Sequence, residues 1–146
     1  MKVAFRKKMN EKRVWGVLGV GLNYDTQSIH PEDLTEVEEN KKRHPHRFWR
    51  AVFLCENYNV ASKYLTIKDY FGEFRVLNEA FHPIGEQPLF DFGEYVRLKK
   101  KPDKLRKVLQ INTHSHSKID DLVYHVEVEN GDYWRFYWFY TQLEKV

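Results

Sequence analysis

The chain has 146 residues, with 24 Lys and Arg against 21 Asp and Glu, for a formal net charge of +3. That length suits one ordinary domain or two very small barrels sharing a surface, and it buries a core without disulfides or metal. A lone cysteine excludes an intrachain disulfide, the early charges at the N-terminus read against a secretory leader, and no apolar run reaches membrane-spanning length.

A soluble, cytoplasmic protein without a membrane partner is therefore expected. Aromatic residues make up 16%, with 9 Tyr, 10 Phe and 4 Trp, a composition that suits half-buried pleated surfaces better than helices.

In chain order, residues 3–9 and 13–18 read as two strands joined through Asn10, Glu11 and Lys12. Gly16, Gly19 and Gly21 then break regularity; their order is not that of a dinucleotide fingerprint, and no Gly-Lys-Ser/Thr follows to hold phosphates. From Pro31, a proline, early acids, Leu34 and Val37, and finally Lys41, Lys42 and Arg43 suit a short helix. A 3₁₀ turn leading into an edge strand fits the same residues. Residues 47–55 read as a buried strand carrying Cys55 as a buried thiol. The run 63–71 ends at Gly72, which fits a helix C-cap or a hairpin bend, and 74–77 is another short strand. His82 to Pro88, with two prolines and a glycine, reads as a linker or long loop. Residues 90–98 alternate as a strand, a basic loop containing Pro102 follows, and 107–111 is the next strand.

The C-terminal stretch from Leu122 to Tyr140 reads as a β-hairpin, and residue parity selects its loop. A two-residue Asn-Gly turn would set Glu129 opposite Asp132 and Glu127 opposite Trp134, which cross-strand pairing disfavours. A three-residue loop, Glu129-Asn130-Gly131, pairs Val126 with Trp134, Tyr124 with Phe136 and Leu122 with Trp138. Gly131 then supplies the left-handed residue of a bulge. Trp134, Phe136 and Trp138 are expected to face the core.

The run Phe92-Gly-Glu-Tyr-Val-Arg-Leu98, then Val108 and Ile111, then Tyr124-His-Val126 and an aromatic strand ending in Gln142-Leu-Glu-Lys-Val146 resembles SH3-like barrel domains of bacterial and phage proteins. It departs from the KOW variety, with Lys107 where a glycine precedes the second strand. The resemblance covers the last third and implies a fold, not a catalytic residue. The expected architecture is mainly β: a β-rich N-terminal part over residues 1–82, with a second small barrel as the alternative there, a linker or loop at 83–89, and an SH3-like barrel over 90–146. Leu34-x-x-Val37 and Leu143-x-x-Val146 share a spacing that would close two related barrels.

Three basic clusters punctuate the chain: Arg6 to Arg13, Lys41 to Arg50, and Arg97 to Lys107. Lys41, Lys42, Arg43 and Arg47 beside Trp49, together with Lys99, Lys100, Lys101 and Lys104, form a candidate nucleic-acid surface that combines phosphate neutralisation with a stacking ring. The alternative for each run is a solvated loop, with Trp49 in the core. Tyr133, Arg135 and Tyr137 form a candidate protein-binding face, of the residue types enriched at interfaces. Thr113-His-Ser-His116 has the opening of a metallo-β-lactamase-type motif, but Ser117-Lys118 stands where Asp-His should follow. With His125, Asp120 and Asp121 as the nearest further ligands, a polar loop is the better reading. No cofactor, metal, small-molecule substrate or catalytic residue is expected. The expected function is a non-enzymatic module binding nucleic acid or a nucleoprotein, with a protein-binding adaptor as the alternative.

Overall fold

The computed structural model describes residues 12–19, 26–48, 50–114, 122–129 and 132–146. The protein is mainly β. Among the described residues, ten strands form two five-stranded antiparallel sheets. The first sheet holds β1 (Val14–Leu18), β2 (Val52–Cys55), β3 (Tyr64–Asp69), β4 (Gly72–Leu77) and β5 (Phe81–Pro83). The second holds β6 (Tyr95–Leu98), β7 (Lys101–Thr113), β8 (Leu122–Val126), β9 (Trp138–Phe139) and β10 (Leu143–Lys145). One α-helix, α1 (Leu34–Arg43), lies between β1 and β2. The expected strand at residues 3–9 lies outside the described residues.

The two sheets share one connectivity. Their orders are β4-β3-β2-β1-β5 and β9-β8-β7-β6-β10, so the first strand of each pairs with both its second and its last. In each, a single 3₁₀ turn precedes the last strand: Asn78–Ala80 before β5 and Tyr140–Gln142 before β10. By this connectivity the counterpart of Leu143 is Phe81; both are buried. The expected match between Leu34-x-x-Val37 and Leu143-x-x-Val146 fails, because Leu34 and Val37 belong to α1.

Alternation along β1 and β2 joins the halves. Val14 and Leu18 with Ala51, Phe53 and Cys55 face a core completed by Ile67, Phe74, Val76 and Phe81. Trp15 and Val17 with Val52 and Leu54 face the opposite way, into a core with Val96, Val108, Ile111, Tyr124 and Leu143. β2 is buried on both faces, which explains its unbroken apolar run. Gly16 lets Phe81 cross the sheet closely, since a Cβ there would lie 2.6 Å from the Phe81 ring. A bridge between Ala51 and Asn112 and a bond from the Thr113 N–H to the Arg50 carbonyl (2.9 Å) tie the start of β2 to the end of β7, the central strands of the two sheets.

Several expectations change. Pro31 to Arg43 takes the helical alternative, with Glu36 in the first turn and Lys41, Lys42 and Arg43 in the last. Gly72, at φ +142°, is the bend of the β3–β4 hairpin, not a helix C-cap. His82 and Pro83 pair with Val17 and Gly16, so the expected linker begins inside an edge strand, where a proline costs no ladder bond. The basic stretch at Pro102 is not a loop: Leu98 pairs with Lys101 across a turn of Lys99 and Lys100, and β7 runs unbroken from Lys101. A register shift in the β6–β7 ladder falls between Val96 and Leu98, the kind of irregularity at which a strand proline is tolerated.

The C-terminal hairpin is also corrected. Tyr124 pairs with Trp138 and Val123 with Phe139, two residues further along than expected. A slip of two preserves the faces, so Tyr124 and Trp138 still share a side. Its cause is that Tyr133–Arg135 coil into a 3₁₀ turn instead of extending the strand. His125 holds that turn: its Nδ1–H donates to the Phe136 carbonyl at 2.7 Å and lies 3.3 Å from that of Tyr133. Asn130 and Gly131, the expected bulge, lie outside the described residues.

Candidate functional site

The β6–β7 ribbon and the long β8–β9 connection stand apart and leave an open groove of about 1140 Å³. Leu98 opens the groove wall, and Lys99, Lys100, Lys101, Asp103, Lys104 and Arg106 continue it along the ribbon. Val128, Glu129 and Phe136 line the other side, and Trp138, Thr141 and Gln142 complete it. Five cations thus face two carboxylates around an apolar and aromatic bed. The Phe136 and Trp138 rings lie 6.2 Å apart, tilted by 35°. Phe136 is 55% exposed, while Trp138 packs partly against the core.

The charge is locally spent in two places. Lys104 is paired with Glu129, and Arg106 donates through Nη1 to the Glu127 carbonyl at 2.9 Å. Lys99, Lys100 and Lys101 are exposed, and none of the three makes an ion pair with a described residue. The groove therefore offers exposed cations beside an aromatic bed. Its volume lies just above the 300–1,000 Å³ usual for small-molecule sites.

The structure thus gathers Lys99, Lys100, Lys101 and Lys104 from the candidate nucleic-acid surface and leaves Lys41, Lys42, Arg43 and Arg47 elsewhere. Lys41, Lys42 and Arg43 end α1, where cations complement the helix dipole, and none lines the groove. Arg47 is a correction. It is 2% exposed and donates to Asp69 through Nε (2.7 Å) and Nη2 (2.6 Å), to Asn40 at 2.8 Å and to the Gly72 carbonyl at 3.1 Å. No donor of that guanidinium reaches a phosphate. Trp49 lies outside the described residues.

The candidate protein face also divides. Tyr133 is 6% exposed; its hydroxyl donates to the Gln110 side chain at 3.2 Å, and burial pushes its pKa up. It is a core residue. Arg135 is exposed, paired with Asp132 at 3.2 Å and laid over the Trp134 ring. Tyr137 is 48% exposed and meets His114 and Phe139 edge to face.

A buried polar seam supports the groove from behind. Gln110 donates to the Asn112 side chain at 2.8 Å and to the His46 carbonyl at 3.0 Å. His46 stacks on Trp134, and His44 on Phe71, each at 4.0 Å. This seam binds the 44–48 segment to the second sheet and fixes the turn from which Phe136 projects. Sequence reasoning placed both Phe136 and Trp138 in the core; Trp138 does pack partly against it while also lining the groove, whereas Phe136 is exposed.

Among the described residues, no group of three His, Cys, Asp or Glu is arranged to hold a metal. His114 lies against Tyr137 and Phe139, and His116, Asp120 and Asp121 lie outside the described residues. No described helix is long and apolar enough to cross a membrane.

No curated protein and no solved structure matches the chain. A family model matches residues 8–143, spanning both sheets and the groove, and the chain belongs to that family of unknown function, DUF6960.

Proposed function

We propose that this protein is a non-enzymatic binding module, built from two SH3-like barrels in tandem, that holds an anionic chain molecule in the groove between the β6–β7 ribbon and the β8–β9 connection. The carrying observation is the meeting of Lys99, Lys100, Lys101, Lys104 and Arg106 with Phe136 and Trp138 on one open surface. The SH3-like reading is supported by the second sheet, where the last strand pairs with the first and a 3₁₀ turn precedes Leu143.

The physical logic is additive. The flexible lysines raise the local concentration of an anion and speed its arrival. The rings then supply the short-range contact, by apolar burial or by stacking against bases or planar side chains. Charge alone at exposed sites is weak and salt-screened. The aromatic bed is what would make the complex persist.

The test is fluorescence anisotropy with labelled single-stranded oligonucleotide and labelled polyglutamate, at low and at physiological salt. Binding of at least one polyanion is expected, weakening with salt and lost in Lys99→Ala/Lys100→Ala/Lys101→Ala. Absence of binding to both at low salt overturns the reading.

A further inference from the structure

The shared connectivity of the two sheets places the groove opposite a counterpart in the first sheet. The counterpart is bounded by the β1–β2 connection, the β3–β4 turn and β4, as the groove is bounded by the β6–β7 connection, the β8–β9 connection and β9. In the first sheet that position is filled. Helix α1 belongs to the β1–β2 connection and lies against Phe71, Gly72 and Phe74. Its Val37 is buried and Leu34 packs beside it, in the cluster that holds Phe48 and Phe74.

The chemistry of that filling is specific. Asp33, at the start of α1, accepts from the backbone N–H of Arg75 on β4 at 2.8 Å and from its guanidinium at 2.9 Å twice over. Glu32 approaches the same guanidinium at 3.4 Å. An amphipathic helix whose N-terminal approach carries Glu32 and Asp33 is therefore held on the first sheet by one cation and an aromatic surface. The second sheet offers the matching surface, with Phe136 and Trp138 for Phe71 and Phe74, and five cations, but no α-helix among the described residues. The β6–β7 connection that would have supplied one is reduced to the turn Lys99-Lys100.

Resting on the proposed groove, we infer that its occupant is an acidic amphipathic helical segment of a partner protein, seated as α1 is seated on the first sheet: apolar residues three or four apart on the aromatic bed, carboxylates toward the lysines. Helix-in-groove recognition of this kind reads apolar anchors on a helical spacing. The acids would also complement the basic rim and exclude neutral helices, which gives selectivity as well as attraction. The two sheets would then carry the same interaction, once within the chain and once between chains.

The experiment uses the full-length protein and a labelled synthetic peptide of residues 31–40, whose sequence PEDLTEVEEN carries five acids around Leu34 and Val37. Saturable binding by anisotropy is expected, weakened at least tenfold by Phe136→Ala and by Lys99→Ala/Lys100→Ala/Lys101→Ala. The peptide with Leu34→Ser and Val37→Ser should lose binding while keeping its charge. An unchanged melting temperature of the variants shows that they fold. Failure of the peptide while a single-stranded oligonucleotide binds the same lysines overturns this inference and leaves the groove reading standing. Equal binding of the serine-substituted peptide, or binding unaffected by the groove variants, also overturns it. Failure of peptide, oligonucleotide and polyglutamate alike overturns both.

Discussion

The guanidinium of Arg47 is clasped by the carboxylate of Asp69 through two hydrogen bonds, 2.7 and 2.6 Å long, with both side chains nearly fully buried. The pair joins the segment after α1 to the β3–β4 turn, and Arg47 also lies over the rings of Phe48, Phe71 and Phe74. Removing one partner strands a buried charge, which costs on the order of 3–5 kcal/mol. Arg47→Ala and Asp69→Ala are each predicted to lose about that much in denaturant unfolding. The double substitution Arg47→Met/Asp69→Leu should lose less than the sum, because it strands no charge and leaves only the neutral partners Asn40, the Gly72 carbonyl and the Phe71 N–H without their bonds.

Gly16 has no room for a side chain. A methyl group would meet the Phe81 ring at 2.6 Å and the His82 carbonyl at 2.7 Å. Gly16→Ala is predicted to cost about 1–3 kcal/mol by overpacking. Phe81→Leu relieves only the ring contact, so the double variant should recover part of the loss, seen as a coupling energy in a double-mutant cycle.

Stability should fall as pH drops below neutral. Burial holds the His125 pKa below its ordinary value, against the raising effect of its bonds to the Phe136 and Tyr133 carbonyls. Burial, helped by Arg47 and Arg43, does the same for His44. A folded pKa below the unfolded one means that the unfolded chain takes up the proton first. Stability is thus full above about pH 6.5 and declines below it. The melting temperature is predicted to be lower at pH 5.5 than at pH 7.5, and His125→Gln should flatten that dependence. A further loss follows at lower pH, where the Asp33 carboxyl, held below its usual range chiefly by its Arg75 hydrogen bonds, takes up its proton.

The Cys55 thiol is buried, and that burial pushes its pKa up. It is predicted to resist a thiol reagent in the native protein at neutral pH and to react stoichiometrically on unfolding. Rapid native labelling would contradict the two-sided burial of β2.

Much of the fold was legible because burial leaves a period in the sequence. The apolar residues within 47–55 announced a buried strand, which the fold confines to Val52–Cys55, and the parity of the C-terminal aromatics put Tyr124 and Trp138 on one side. The slip of two residues was not legible, because it depends on the His125 imidazole gripping a carbonyl eleven residues away. Phe136 escaped the same way: the turn that turns it outward is held by tertiary bonds. Arg47 sat in a run of cations and read as a phosphate contact, since its partner Asp69 is 22 residues distant. The candidate site was half legible. Lys99, Lys100, Lys101 and Lys104 were identified by charge alone, whereas the aromatic bed they surround is made by the fold.

The most direct test of the groove is an NMR titration of the ¹⁵N-labelled protein with polyglutamate at low salt. The account predicts that the Trp138 indole N–H, the Phe136 amide and the amides of Lys99 to Lys104 shift together and saturate, while those of Lys41 to Arg43 hold still. Shifts centred on the end of α1, or none at all, would contradict it.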